Sequence, residues 1–172
     1  MTAAAISRGS DWQEALEAVI QDAGATTSAD LALFFASAAY ADHFEAMVRR
    51  VQSATGAAVV AGCSGQGIIG PEREIEDEPA LSLMALPLPG ATVRACYITQ
   101  ANLVEAIEPA YWQHHTQMAP QDVNAWLLFA DPFRLDTEAF LTSFSAAYPG
   151  TPIVGGLASG AMQRQLTHVF LN

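Results

Sequence analysis

Apolar residues recur along the chain in two rhythms, and their alternation sets out the elements. Trp12, Leu16, Val19, Ile20 and Ala23 keep helical spacing. Ser10 and Gln13 fit a helix-opening box in front of them, and Gly24 supplies the stop. After a turn-like stretch over 25–30 comes Leu31 to Ala36, LALFFA, apolar on both faces as a strand covered by helices must be. Asp42 with Glu45 opens a second helix, whose Phe44, Met47, Val48 and Val51 share one side, and Gly56 ends it. The two-sided run Ala57 to Ala61 then reads as a strand, and the right-handed crossover rule makes it parallel to the first.

Further along, Leu81 to Leu86 and Thr92 to Ile98 are expected as an antiparallel hairpin, because the linking Pro87-Leu88-Pro89-Gly90 suits a type II turn. Asn102 with Glu105 opens a helix that Pro109 should break, leaving a second piece through Tyr111 to Met118. A second βαβ unit follows: strand Ala125 to Ala130, turn Asp131-Pro132-Phe133, a helix from Asp136 carrying Phe140, Leu141, Phe144 and Tyr148, the stop Pro149-Gly150, and strand Pro152 to Val154. Leu166 to Leu171 reads as a last strand, and a strand at the chain end creates the expectation of more protein to pair with it. The fold class is α/β, one domain over 1–172, with a mixed sheet, two βαβ units, an antiparallel hairpin and flanking helices.

The two units echo each other. Sliding the chain by 94 positions without a gap lays Leu33, Phe35, Ala36, Asp42, Gly56, Val60 and Gly62 on Leu127, Phe129, Ala130, Asp136, Gly150, Val154 and Gly156. A duplication explains this, and so does the common periodicity of any two βαβ units.

Half of the residues are apolar and 15% are charged, which places the chain in the globular class. A net charge of -11 repels phosphate backbones, so nucleic acid is excluded as a natural ligand and an anionic membrane surface is disfavoured. MTAAAISRGS lacks the apolar core of a signal peptide, and two cysteines make no disulfide framework, so the expected location is cytoplasmic with both thiols reduced.

Chemistry could gather in the small-residue loops that follow equivalent strands, GCSGQG and GGLASG. Gly65 to Gly70 matches G-x-G-x-x-G, yet Pro71 and a run of carboxylates replace the helix that would hold pyrophosphate, so no nucleotide cofactor is expected. Gly62-Cys63-Ser64-Gly65 resembles a nucleophile turn but has Gln66 where G-x-S-x-G needs glycine. Cys63 is the nucleophile of the alternative, hydrolase or transferase reading; a small apolar Cys after a buried strand is the plainer one, and His43, His114, His115 and His168 show no spacing that ties one to it. Adjacent His114 and His115 point about 100 degrees apart on a helix, so no metal site is expected. Glu72 to Glu78 is a solvated acidic loop, or else a place where Arg73 and Glu74 or Glu76 turn inward to grip a zwitterion.

Taken in order, AVVAGCSGQGIIGPEREIE, LSLMALPLPG, LLFADPFRLD and PIVGGLASG resemble the N-terminal half of the FIST domain, the F-box and intracellular signal transduction domain. The similarity runs from about Asp30 to Asn172 and leaves out the first helix. It implies a cytoplasmic sensory module for small ligands such as amino acids, with a C-terminal FIST half, absent here, or another signalling domain as partner. Gly62, Cys63, Ser64, Gly67, Arg73, Glu74, Asp131, Gly156 and Ser159 are the motif positions it marks for a ligand. A protein-interaction scaffold is the remaining alternative.

Overall fold

Two apolar strands, β2 (Leu31–Ser37) and β3 (Val59–Gly65), lie parallel and side by side, joined by a 3-10 stretch over Ala38–His43 and helix α2 (Phe44–Thr55). The computed structural model describes residues 3–24, 29–160 and 166–172, so most of the turn expected over 25–30 lies outside the described residues. The chain divides into two compact units, one of Met1–Ala95 with Ala158–Asn172 and one of Cys96–Leu157.

In the first unit, β1 (Ala3–Arg8), β2, β3, β6 (Ala80–Leu86) and β9 (Val169–Leu171) form a mixed sheet in the order β1-β6-β2-β3-β9. Alternate residues face opposite ways along a strand. Ala32, Phe34, Ala36, Val60, Leu81, Leu83 and Phe170 therefore share one face, where they pack against Leu16 and Val19 of α1 (Trp12–Asp22) and Met47 and Val51 of α2. The other face receives a small hairpin, β4 (Ile68–Gly70) with β5 (Arg73–Ile75), whose Ile68 and Ile75 pack on Ile6 and Ala80 with Phe35 beside them.

Several expectations are corrected here. Residues 92–98 do not pair with β6, because both edges of β6 are already occupied, by β1 and by β2. The antiparallel hairpin is β4–β5 instead, turning at Pro71-Glu72 with Glu72 at φ 63°; half of the expected acidic loop is thus strand. Asp11 rather than Ser10 caps α1, its carboxylate accepting from the N–H groups of Gln13 and Glu14 at 2.8 and 3.2 Å. No side chain caps α2, and Glu45 pairs with Arg49 one turn on. Gly56 ends that helix in the left-handed conformation, as its position suggested.

The second unit holds β7 (Trp126–Ala130) parallel to β8 (Ile153–Leu157), with α3 (Gln100–Glu105), α4 (Pro109–Thr116) and α5 (Thr137–Ala147). Thr99, not Asn102, opens α3, through a capping box with Asn102. The chain breaks before Pro109, which sits in the first turn of α4, where its missing N–H costs nothing. Asp136 caps α5 through the N–H of Ala139. Trp112, Phe140, Phe144 and Tyr148 form the core, with Trp112 edge-on to both phenyl rings at 5.4 Å and its Nε1–H donated to Ser143.

Each βαβ unit contains one glycine that its neighbouring strand requires. Gly62 pairs with Phe34, and a Cβ placed on it would lie 1.8 Å from the Phe34 carbonyl oxygen. Gly155 pairs with Leu128, where a Cβ would meet the Leu128 oxygen at the same distance. The counterpart of Gly62 is therefore Gly155, not the Gly156 that an ungapped slide selects. Leu31 pairs with Val59 and Trp126 with Ile153, so the second crossover is one residue shorter than the first. Among the described residues no helix is long and apolar enough to cross a membrane.

Candidate functional site

The C-terminal end of β3 is where polar groups converge in the first unit. Ser64 is buried, and its backbone and side chain are both spent on neighbours. Its N–H donates to the His168 carbonyl at 2.9 Å, while its carbonyl accepts from Ser159 N–H, also at 2.9 Å. The Oγ–H donates to the Ser159 carbonyl at 2.7 Å, and Oγ accepts from His168 N–H at 2.9 Å. Ser159 Oγ in turn accepts from Gln66 N–H at 3.0 Å. A serine is needed at 64 because a hydroxyl donates and accepts at once, and it ties the approach to β9 and the residues after β8 to one point.

Two atoms beside this knot have no partner among the described residues. Thr167 Oγ1 and His168 Nε2 are buried with no hydrogen bond to any of those residues, and Thr167 as a whole is only 5% exposed. Such groups carry a desolvation cost of about 1–3 kcal/mol each and ask for an explanation. The His168 ring packs edge-on to Phe44 at 5.1 Å, and Phe44 meets Phe170 at 4.5 Å. His168, Phe44 and Phe170 line a cleft of about 490 Å³ between α2 and β9, together with Val48, Arg49, Glu45, Gln52 and Asn172.

The structure brings together only some of the residues expected from sequence. Ser64 and Ser159 meet directly. Cys63 points to the opposite sheet face from Ser64 and is buried. Arg73 lies on the β4–β5 hairpin and donates to the Ile6 carbonyl of β1 at 3.1 Å. Strand β1 is three positions from β3, or about 14 Å at the usual strand spacing. Arg73 and its exposed neighbour Glu74 thus stand apart from the Ser64 knot. Gly67 approaches Glu76, with its Cβ position 3.3 Å from Glu76 Cγ. Asp131 and Gly156 belong to the second unit; the Asp131 carboxylate accepts from Phe133 N–H at 2.9 Å and pairs with Arg134. Sequence reading passed over Thr167 and over the Arg49–Glu45 pair. The pair was legible as an i, i+4 couple on the exposed side of a helix, but only the fold shows that β9 runs beside it.

Burial pushes the Cys63 thiol up to about 11. An activated nucleophile needs the reverse shift, so the thiolate reading loses its main support. The raised value also sets a pH dependence. The unfolded thiol ionises near its ordinary value of about 8.5 to 9 and the folded one only near 11, so the unfolded state sheds its proton first. The stabilising contribution is complete below pH 8.5 and is lost as pH rises through 11; its full size is about 3 kcal/mol. Denaturant titrations of the wild type and Cys63→Ala should therefore differ in slope between pH 8.5 and 11, with the variant flatter. Parallel curves would show that the thiol does not carry the effect.

Among the described residues no group of three His, Cys, Asp or Glu side chains is arranged to hold a metal ion. The site is thus a hydrogen-bonded junction beside a partly apolar cleft, in a mixed α/β protein built on two βαβ crossovers. That is the class defined by fold and geometry. The chain belongs to the FIST N domain family, which matches residues 30–172 and is associated with signal transduction. It is 28% identical over 141 residues to the uncharacterized protein MT0656 of Mycobacterium tuberculosis, a match covering 81% of this chain and 35% of that protein. Mb0898c of Mycobacterium bovis, also uncharacterized, is 29% identical over 161 residues, covering 92% of this chain and 40% of the relative. The chain spans less than half the length of these curated relatives. No solved structure matches it.

Proposed function

We propose that this chain is a cytoplasmic, small-ligand-binding sensory domain of a signal transduction protein, that its ligand is an amino acid, and that it works with a C-terminal FIST half or another signalling domain. Membership of the FIST N family over residues 30–172 is the observation that carries this reading. The α2–β9 cleft gives it a place. A volume of about 490 Å³ falls in the usual range of about 300–1,000 Å³ for small-molecule sites. Phe44, Val48 and Phe170 offer apolar surface for a side chain. Glu45 and Arg49 are mostly exposed and, among the described residues, pair only with each other, so they can exchange that pairing for the amine and the carboxylate of a zwitterion. His168 lines the same cleft and hangs from the Ser64 knot, so a ligand that reorients its ring acts on the junction directly. In this proposal Gly62, Cys63, Ser64, Gly67 and Ser159 shape the loop that holds His168, and Arg73 and Glu74 serve the hairpin.

An amino-acid panel screened by thermal shift tests the reading. A true ligand at 100 times its dissociation constant adds about 2.7 kcal/mol of stability, and Arg49→Gln should abolish the shift while leaving the unliganded melting temperature nearly unchanged. Flat responses to every amino acid, in the wild type and in a protein that includes the longer relatives' additional region, would sink it.

A further inference from the structure

We propose that the outer edge of β8 is a docking site for an extended polypeptide segment running antiparallel to it, and that this segment comes from the additional length that the longer FIST relatives carry. The first unit is the template. With Gly62 equivalent to Gly155, residues Val60, Gly62 and Ser64 of β3 correspond to Ile153, Gly155 and Leu157 of β8. In β3 this set turns its backbone toward β9: Ser64 N–H reaches the His168 carbonyl at 2.9 Å, and the Val60 carbonyl accepts from Asn172 N–H at 3.3 Å.

Strand β8 has no such neighbour among the described residues. Among the described residues it pairs with β7 alone. The bond from Trp126 N–H to the Pro152 carbonyl fixes the phase of that ladder. Val154 and Gly156 then direct their N–H groups to β7, while Ile153, Gly155 and Leu157 direct theirs outward. Val154 to Leu157 are all exposed, with Val154 at 53% and Leu157 at 54%. The sequence IVGGL holds no charge and no proline, the devices that usually blunt an open edge. Two copies of a five-residue strand pairing with each other would cover far less than the roughly 1,200 Å² a stable interface needs. The relatives, by contrast, carry more than half of their length outside the matched region, MT0656 being matched over 35% of itself. A strand supplied from there would add backbone bonds and bury Val154 and Leu157 in one step.

The docking rests on the fold and not on the amino-acid ligand, so either can fail alone. Residue-resolved amide exchange on this chain tests it, with the part of MT0656 outside its matched region, expressed separately, as the probe, and full-length MT0656 as reference. Saturating probe should slow exchange at Ile153, Gly155 and Leu157 at least about tenfold and leave Val154 and Gly156 unchanged. Protection of the aligned residues in full-length MT0656, lost when that protein is cut to its matched region, supports the proposal even where the two species do not cross-assemble. Equal rates with and without probe, together with unprotected aligned residues in full-length MT0656, overturn it. So does protection that rises with this chain's own concentration, which assigns the edge to a second copy.

Discussion

Gly155→Ala is expected to unfold the second unit, and Gly62→Ala the first, while Gly156→Ala leaves stability almost unchanged. A methyl on Gly62 or Gly155 would sit 1.8 Å from a carbonyl oxygen of the adjacent strand, about half the normal separation of such atoms, and a paired strand cannot retreat without losing its ladder. Each substitution should cost at least about 3 kcal/mol, a large part of the roughly 5–15 kcal/mol that holds an ordinary domain together. Among the described residues nothing lies within 4 Å of the position a methyl would take on Gly156. Its replacement should stay within about 0.5 kcal/mol of wild type. Urea titrations followed by circular dichroism read all three, and equal costs at 155 and 156 would show that the second crossover is not one residue shorter.

Ser64→Ala is the other severe change. It removes the donor to the Ser159 carbonyl and the acceptor for His168 N–H, two part-buried groups that face the buried Ser64 side chain. Losing a hydrogen bond is mild, but stranding a part-buried donor and a part-buried acceptor costs about 2–4 kcal/mol together. Ser159→Ala strands only Gln66 N–H, an exposed group that water can satisfy, and should cost about 1 kcal/mol or less. Amide exchange at His168 and Ser159 should quicken in Ser64→Ala before the remainder of the sheet loosens. If the two alanine variants prove equally stable, the junction does not hinge on Ser64.

The helices and the buried strands were legible because their signals are local and strong. Phe44, Met47, Val48 and Val51 can face one side only as a helix, and LALFFA can be buried only between layers. Strand β1 was not legible. Ala3 to Arg8 carries little β propensity, and its place depends on the free edge of β6, more than seventy residues away. The same fact undid the expected pairing of 92–98 with β6, since turn chemistry at Pro87 to Gly90 says nothing about which edges are taken. The echo between the crossovers was visible as a repeat of residue types, but a shift of one residue between Gly62 and Gly155 is a matter of strand register, which only the partner's carbonyl reveals. At the site, Ser64 and Ser159 were found by their loops, whereas their mutual satisfaction, the orphaned Thr167 and the cleft beside α2 come from β9, placed by residues that were read only as a last strand.

The family model begins at residue 30, but the fold does not. Helix α1 supplies Leu16, Val19 and Ile20 to the same core as Phe34 and Met47, and β1 seals β6. A polypeptide started at Asp30 would open a trench along the layer of helices and bare a long apolar ribbon to its neighbours in solution. Strand β1 and helix α1 are therefore part of the folding unit itself, and recombinant boundaries drawn from the shared motifs would sever it.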